Sequence, residues 1–318
     1  MSSQVGGISD DKNRILSIEP NLLLKPLQNH HRGLREVVFY EIMAASNALE
    51  YGIKDNIGEV GINRKILTWL EYVMYHSLYK HIPFFRIQYD LSHLCQLNKF
   101  IVKYHGLSYF EDSNDKSGSL EITRSHLVLS DETRNFDKPC IIDLKVGTVT
   151  FEPNATMSKK QKQIKKYPHQ DRFGFRIVGL QVYDPTHPEA DATGYRRVDK
   201  VAGRNLYDTS SIIQTLIMFF QLDNKCTCLI KRRIEIELIR NKLVELRKWF
   251  LKNKSFAFYA SSILLIYEGG SGKLLEPIDP IVKMIDFAHV TINNQIDRGY
   301  IHGLENLIVL LGDLLLNS

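Results

Sequence analysis

One stretch, Pro139–Gly147, constrains this chain more than any other. It places Asp143 and Lys145 at alternate positions of an otherwise apolar run. In an extended strand, side chains two positions apart point to the same side, so both charges would face one cleft while the apolar residues pack behind them. An acid and a base that meet one ligand suit a site that handles phosphate. A surface strand with a chance pair of opposite charges is the alternative.

Length and composition are those of an ordinary globular protein. The chain has 318 residues, of which 44% are hydrophobic and 24% charged, enough for two cores that share a cleft. Residues Met1–Asn13 are polar, so we expect no secretory signal. We also expect no segment long and apolar enough to cross a bilayer, and therefore a soluble intracellular protein.

The cysteines do not form a zinc pattern. A single Cys-x-Cys has no second pair, which a structural zinc site would need. We therefore expect reduced thiols at Cys95, Cys140, Cys226 and Cys228.

The formal net charge of +5 is modest, but the basic residues are clustered. Clustering matters more than the sum for an anionic partner. At this stage the partner could be a nucleic acid, an acidic membrane or a polyphosphorylated small molecule. The clusters are Lys159–Lys166, Arg196–Arg204 and Lys231–Arg233.

Periodicity divides the chain into a smaller first part and a larger second part. The first part combines short strands, one helix and further apolar segments, and it ends at the polar connector 130–138. Its segments are 15–27 (strands), 34–49 (helix, through Val38 and Ile42), 85–94, 100–109 and 126–129 (strand). The second part has strands at 175–183, 261–267 and 282–287, and helices at 211–222, 234–250 and 304–316.

A strongly basic helix is predicted between Ser158 and Tyr167. Helical spacing puts Lys159, Lys162, Gln163 and Lys166 on one face. Like charges this close repel, so a ligand that neutralises them is one explanation, and a solvated face or a nuclear-import signal is the other. Nucleic-acid binding predicts interleaved aromatic residues for stacking, and only Tyr167 is near.

A second carboxylate, Asp286, ends an apolar strand. It is followed by an aromatic and a small residue, in Lys283–His289. Such a carboxylate can hold Mg²⁺, which carries much of the electrostatic stabilisation in phosphoryl transfer. The alternative is an ordinary Asp at a strand end, and His289 taken alone is more often structural.

With these residues assembled, the chain resembles the inositol polyphosphate kinase family. The signature of that family, Pro-x-x-x-Asp-x-Lys-x-Gly, is matched without a gap from Pro139 to Gly147. Further matches follow in family order over almost the whole chain. They are Gln4–Gly7, Arg35–Tyr40, Ser261–Leu265, Ile285–His289 and Gly303–Leu307.

The resemblance implies an α+β fold of two lobes, similar in outline to protein kinases. Each lobe would contain an antiparallel sheet, and a helical segment would bind the inositol phosphate. Residues 1–135 would form the N-terminal, nucleotide-binding lobe. Residues 136–318 would form the C-terminal lobe, which binds the inositol phosphate and the metal ion. The two lobes would make a single catalytic unit.

The resemblance also implies roles for individual residues. Asp143 and Lys145 would be catalytic, and Asp286 would bind Mg²⁺. Lys25 would hold the phosphates of ATP and pair with Glu36, although a surface ion pair is the plainer alternative. The nucleotide site would comprise Lys25, Glu36, Leu129, Asp131, Asp143 and Asp286. The acceptor site would comprise Lys145, Lys159, Lys162, Gln163, Lys166, Lys200, Arg204 and His289.

Two branches of the family remain open. Segments 179–183, 256–262 and 297–307 look most like inositol hexakisphosphate kinases, whereas Lys166–Pro168 and Gly174–Phe175 look like inositol polyphosphate multikinases. We expect a kinase that transfers the γ-phosphate of ATP to inositol hexakisphosphate to form diphosphoinositol pentakisphosphate, with less phosphorylated inositols as further substrates. A multikinase that phosphorylates hydroxyls of inositol tris- or tetrakisphosphate is the alternative.

A different class, a non-catalytic module that binds inositol phosphate or nucleic acid, also remains. A protein kinase is disfavoured because the chain has no His-Arg-Asp and no Gly-x-Gly-x-x-Gly. We expect inositol polyphosphates as partners, no nucleic acid, no membrane, a monomer, and residence in the cytoplasm, the nucleus or both.

Overall fold

The computed structural model describes residues 15–18, 21–28, 31–50, 91–109, 125–223, 229–270 and 278–317. Some predictions lie outside these residues. They concern Gln4–Gly7, residues 85–90, Cys226 and Cys228.

Two antiparallel sheets organise the described residues, which confirms the two-lobed α+β prediction. The smaller sheet lies in the first part of the chain, with strand order β1-β2-β4-β3. Its strands are β1 (Leu16–Ile18), β2 (Leu22–Pro26), β3 (Tyr104–Tyr109) and β4 (Ser125–Ser130).

The larger sheet lies after the connector, with strand order β10-β9-β5-β6-β7. Its strands are β5 (Pro139–Val146), β6 (Phe175–Tyr183), β7 (Tyr195–Val198), β9 (Ser262–Glu268) and β10 (Ile281–Ile285). Two short strands, β8 (Phe256–Phe258) and β11 (Val290–Ile292), pair with each other outside this sheet. The central strand β5 has both edges paired, and Ile142, Leu144 and Val146 are fully buried behind its charged pair.

Helix α1 (His31–Glu50) buries a face that is offset from the predicted one. Of the predicted stripe, Val38 is buried but Ile42 is only partly buried, whereas Glu36 and Phe39 are almost fully buried. Aromatic packing accounts for the offset, since the ring of Phe39 lies 4.3 Å from that of Phe287 in the C-terminal lobe. Helix α1 therefore joins the two lobes.

Seven further helices follow α1 in the part of the chain that the structure describes. They are α2 (Leu91–Cys95), α3 (Met157–Lys166), α4 (Gln170–Phe173), α5 (Lys200–Arg204), α6 (Thr209–Phe219), α7 (Leu229–Phe250) and α8 (Arg298–Asn317), with a 3₁₀ turn at Asn98–Phe100. The predicted core stripe of α7 is confirmed, because Ile236, Ile239, Leu243, Leu246 and Phe250 are all fully buried.

Helix α8 corrects one prediction. By length and composition alone, Arg298–Leu316 is apolar enough to cross a membrane, with a mean hydropathy of 1.3. The helix nevertheless packs on the protein, since the rings of Tyr300 and Phe250 stack with centroids 4.2 Å apart. Packing against α7 explains the apolar composition, as a core helix needs the same residues.

Candidate functional site

A single cavity brings together six of the charged residues that the sequence singled out. Its volume is about 160 Å³, and it is bordered by β5, β6, α3, α5 and the end of β10. Two carboxylates and five cations share its surface. The lining residues are Asp143, Lys145, Lys166, Arg176, Ile177, Val178, Lys200, Arg204 and Asp286.

Asp143 and Lys145 both face this cavity from β5, as the alternation predicted. The Nζ of Lys145 donates to the carbonyl oxygen of Ala260 at 2.6 Å. Ala260 has a φ of 55°, a conformation that non-glycine residues adopt rarely and that is concentrated at functional sites. Among the described residues, nothing hydrogen-bonds to the buried Oδ1 of Asp143. That oxygen is available to a ligand.

Burial shifts both groups toward their neutral forms. It raises the pKa of Asp143 to about 6, against the opposing effect of Lys145 and with a further contribution from Asp286. It also lowers the pKa of Lys145. Asp143 can therefore bind a cation or accept a proton near neutral pH.

Asp286 lies directly after β10 and has a φ of 66°. This left-handed conformation is tolerated by Asp better than by most residues. Burial by itself raises the pKa of Asp286, but Lys25 and Lys145 outweigh it and hold the pKa below its ordinary value. The side chain is 37% exposed, so the charged carboxylate can also meet a ligand.

Lys25 pairs with two carboxylates from different parts of the chain. Its Nζ lies 2.7 Å from Oε1 of Glu36 and 2.6 Å from Oδ1 of Asp286. Burial by itself lowers the pKa of Lys25, but Asp286 and Glu36 raise it above its ordinary value. The predicted pair of Lys25 and Glu36 is thus formed, and it is not on the surface, because the side chain of Glu36 is fully buried.

Four further cations line the same cavity. Lys166 ends α3, Arg176 lies on β6, and Lys200 and Arg204 belong to α5. Burial, followed by repulsion from Arg176 and Arg204, lowers the pKa of Lys166 to about 8. Burial and Arg204 lower the pKa of Arg176 to about 10. A group of cations that repel each other this strongly is suited to a ligand with several negative charges.

Arg176 was missed by the sequence analysis. It is 5% exposed, donates to Oε1 of Gln170 at 2.9 Å, and lies opposite Lys145 in the register of β5 and β6. A single Arg in an apolar strand was a signal that could have been used. Its position in the site depended on which strand pairs with β5, and that is a long-range contact.

Most of the basic helix lies away from the cavity. Of its four predicted residues only Lys166 lines the cavity, whereas Lys159 and Lys162 are exposed and Gln163 is half-buried. Helix α3 rises roughly 1.5 Å per residue, so Lys159 is about 10 Å from Lys166 along the helix axis. The predicted helix is formed, and a role of Lys159, Lys162 and Gln163 in binding the acceptor stays a prediction.

His289 does not line the cavity either. Its Nδ1 lies 2.6 Å from Oε1 of Glu152, and the other oxygen of Glu152 lies 2.6 Å from Nη1 of Arg35. A role for His289 on the acceptor side stays a prediction.

The connecting strand β4 leads into a turn that uses its own carboxylate. Oδ1 of Asp131 accepts from the backbone N–H and the hydroxyl of Thr133. Leu129 is 7% exposed in β4. Ser130, the last residue of β4, hydrogen-bonds to His105 at 2.8 Å. Contacts of Leu129 and Asp131 with a nucleotide stay predictions.

No group of three or more His, Cys, Asp or Glu in the described ranges could hold a metal ion. The available oxygen ligands are the carboxylates of Asp143 and Asp286. Mg²⁺ is commonly held by one or two carboxylates together with phosphate oxygens of the substrate. The two Asp residues, with the unpartnered Oδ1 of Asp143, fit such an ion.

Comparison with known proteins gives a consistent result. The family described as inositol polyphosphate kinase matches residues 126–312, more than half of the chain. The inositol polyphosphate multikinase of Homo sapiens is 29% identical over 274 residues, which cover 85% of this chain and 51% of that protein. Inositol hexakisphosphate kinase 3 of Mus musculus is 32% identical over 210 residues, 59% of this chain and 50% of that protein.

The chain thus spans about half the length of these curated relatives. A solved structure of the inositol phosphate multikinase of S. cerevisiae, in complex with ADP and Mn²⁺, has a TM-score of 0.56 and 21% identity. It covers 69% of this chain and 90% of that one. At this identity the likeness shows a common fold.

Proposed function

Because this chain belongs to the inositol polyphosphate kinase family, we propose that it transfers the γ-phosphoryl group of ATP to an inositol polyphosphate. The observation that carries the proposal is the cavity that Asp143 and Asp286 line together with five cations, Lys145, Lys166, Arg176, Lys200 and Arg204. Carboxylates suit the metal-bound donor, and the cations suit the phosphates of the acceptor.

The donor side consists of Lys25, Glu36, Asp143 and Asp286. Lys25 would neutralise phosphate oxygens of ATP while Glu36 holds its Nζ in place at 2.7 Å. Asp286 and Asp143 would hold Mg²⁺, which supplies electrostatic stabilisation of the phosphates when bound. Lys145, between the two sides, would contact the transferred group. We assign the donor to residues 1–135 together with these two Asp residues, and the acceptor to residues 136–318.

The acceptor side relies on charge. Lys166, Arg176, Lys200 and Arg204 would bind phosphates that are not transferred and orient the ring. Such convergence from three separate elements is needed for a compact anion. An extended nucleic-acid strand would instead favour a groove with aromatic platforms.

A hydroxyl acceptor, as in the multikinases, is our first choice for this site. A hydroxyl must lose its proton during transfer, and Asp143 is a buried carboxylate with an unpartnered oxygen and a pKa raised to about 6. The matches to multikinases also extend over the larger share of the chain, 85% against 59%.

Inositol hexakisphosphate is the second candidate. An acceptor phosphate is already ionised and needs no base, and five cations around one cavity favour the most highly charged inositol. A chain with features of both branches can use both acceptors.

Product analysis separates these possibilities. The protein would be incubated with ATP and Mg²⁺ and offered inositol trisphosphate or inositol hexakisphosphate, and products would be resolved by ³¹P NMR. New monoester signals from the trisphosphate support the first acceptor, and a diphosphate signal from the hexakisphosphate supports the second. Absence of product from both, with binding retained, would instead identify a non-catalytic binding module.

The variant Asp143→Asn sharpens the distinction. If Asp143 removes a proton from a hydroxyl, the variant loses more turnover with the trisphosphate than with the hexakisphosphate. Equal losses with both acceptors would restrict Asp143 to the donor side.

A further inference from the structure

A buried bridge connects the two sides of the site without lining the cavity. Glu152 accepts from Nδ1 of His289 at 2.6 Å with one oxygen, and its other oxygen forms an ion pair with Arg35 at 2.6 Å. Its side chain is 9% exposed, and the side chains of Arg35 and His289 are 12% and 18% exposed. A carboxylate with both oxygens engaged in a mostly dry environment has a fixed position.

The protonation of Glu152 agrees with this geometry. Burial by itself raises the pKa of a carboxyl group, yet the hydrogen bond from His289 and the ion pair with Arg35 lower that of Glu152 to about 2. The group is therefore charged at neutral pH. It holds its two partners by charge-assisted contacts rather than by neutral ones.

Each partner leads to a different part of the site. Arg35 precedes Glu36 on α1, and Oε1 of Glu36 binds both Lys25 and the backbone N–H of Phe287. His289 lies three residues after Asp286, on the same loop. Glu152 itself lies in the segment between β5 and α3, four residues before Thr156, whose side chain caps α3.

We propose that Glu152 is a positioning residue that couples helix α3, which ends at Lys166, to helix α1, which carries Glu36, and to the Asp286 loop. The proposal rests on the proposed function. The charged Glu152 holds Arg35 of α1. When α1 takes the orientation in which Lys25 contacts both Glu36 and Asp286, Glu152 therefore also fixes the start of α3. The position of Lys166, at the end of α3, is fixed with it. Donor and acceptor binding would then favour each other, since coupling between two sites is reciprocal.

The first test uses Glu152→Gln, which keeps the shape of the side chain and removes its charge. The matched control is Glu235→Gln, because Glu235 is also buried and pairs with an Arg, Arg232, at 2.7 Å. Hydrogen exchange of the free proteins is followed at the amides of α3. We expect about tenfold faster exchange there in Glu152→Gln only. Unchanged exchange, or equal acceleration in the control, would overturn the proposal.

The second test measures coupling by calorimetry. The affinity for inositol hexakisphosphate is determined with and without a saturating non-hydrolysable ATP analogue. We expect the analogue to strengthen binding about fivefold or more in the wild type and in Glu235→Gln, and to have no effect in Glu152→Gln. Equal coupling in all three proteins, or none in the wild type, would refute a coupling role. A protein that binds both ligands but makes no product would refute only the proposed catalysis.

Discussion

The Nζ of Lys25 lies 2.6 Å from Oδ1 of Asp286, although 261 positions separate the two residues in the chain. One belongs to the smaller sheet and the other ends a strand of the larger sheet. Glu36 engages the same Nζ from α1. A single ammonium group thus joins three elements at the junction of the lobes, and its neighbours are the groups to which we assign the donor nucleotide.

Asp286→Asn should abolish transfer and leave the fold intact. Asn tolerates the left-handed backbone at φ 66° as well as Asp does, so the loop keeps its conformation. The amide is a poor ligand for Mg²⁺, and we expect turnover to fall by at least about 100-fold. Turnover would be measured together with the melting temperature. Retained activity would remove Asp286 from the metal role.

Lys25→Met should destabilise the protein more than the double variant Lys25→Met/Glu36→Gln. The single change leaves the fully buried Glu36 with an uncompensated charge, which costs about 3 kcal/mol or more. Removing that charge as well should recover a large part of the loss. Urea unfolding of the wild type, both single variants and the double variant measures the coupling. Additive free energies of unfolding would show that the pair is not coupled.

Arg176→Met should weaken acceptor binding about tenfold or more, with little effect on the affinity for ATP. Arg176 lines the cavity among the cations that we assign to the acceptor, and it donates to Oε1 of Gln170 at 2.9 Å. Arg197→Met is the control, since Arg197 lies on the neighbouring strand β7 and does not line the cavity. Calorimetric titration of both variants with inositol hexakisphosphate and, separately, with ATP measures the two affinities. A loss of affinity for ATP alone would place Arg176 on the donor side.

Local patterns predicted local features well. The bounds predicted for the strand Phe175–Tyr183 match β6, although β6 is buried on both faces and does not alternate in burial. The prediction that Asp143 and Lys145 face one cleft was correct. Features that depend on long-range contacts could not be predicted from local sequence patterns. The contact of Lys25 with Asp286 requires both lobes, and the role of Arg176 requires the register of β6 against β5. The spacing of lysines on α3 predicts a common face but not the direction in which the helix runs from the cavity.

Acceptor binding should weaken as the pH rises through about 8. At lower pH Lys166 is charged, and above its lowered pKa of about 8 it loses its proton and its attraction for phosphate. A bound polyanion would raise this pKa again, so binding near pH 8 should take up a proton. Titration with inositol hexakisphosphate between pH 7 and pH 9.5 measures the effect.

Lys166→Arg provides the control for this pH dependence, because a guanidinium stays charged over the whole range. The ionisation of the ligand is the same for both proteins, so any difference in slope belongs to residue 166. We expect a severalfold loss of affinity in the wild type and a smaller one in the variant. Identical slopes would show that Lys166 does not titrate in this range.

Gly174→Ala should be among the most damaging small substitutions in the C-terminal lobe. Gly174 has a φ of 65°, and a Cβ there would lie 2.6 Å from the backbone N of Gly303. Gly106 is the matched control, since it also has a positive φ, 106°, but an added Cβ would have nothing within 4 Å.

The two variants separate backbone strain from steric overlap. We expect Gly106→Ala to cost about 1–2 kcal/mol, from the left-handed backbone alone. Gly174→Ala should cost about 3 kcal/mol or more, because the close approach of α8 to the end of α4 adds an overpacking penalty that backbone atoms cannot relieve. The carbonyl of Gly174 also accepts from the N–H of Gly147 at 2.8 Å, directly after β5, so the loss should reach the site and lower turnover. Urea unfolding measures both costs, and equal values would show that α8 can move away from Gly174 freely.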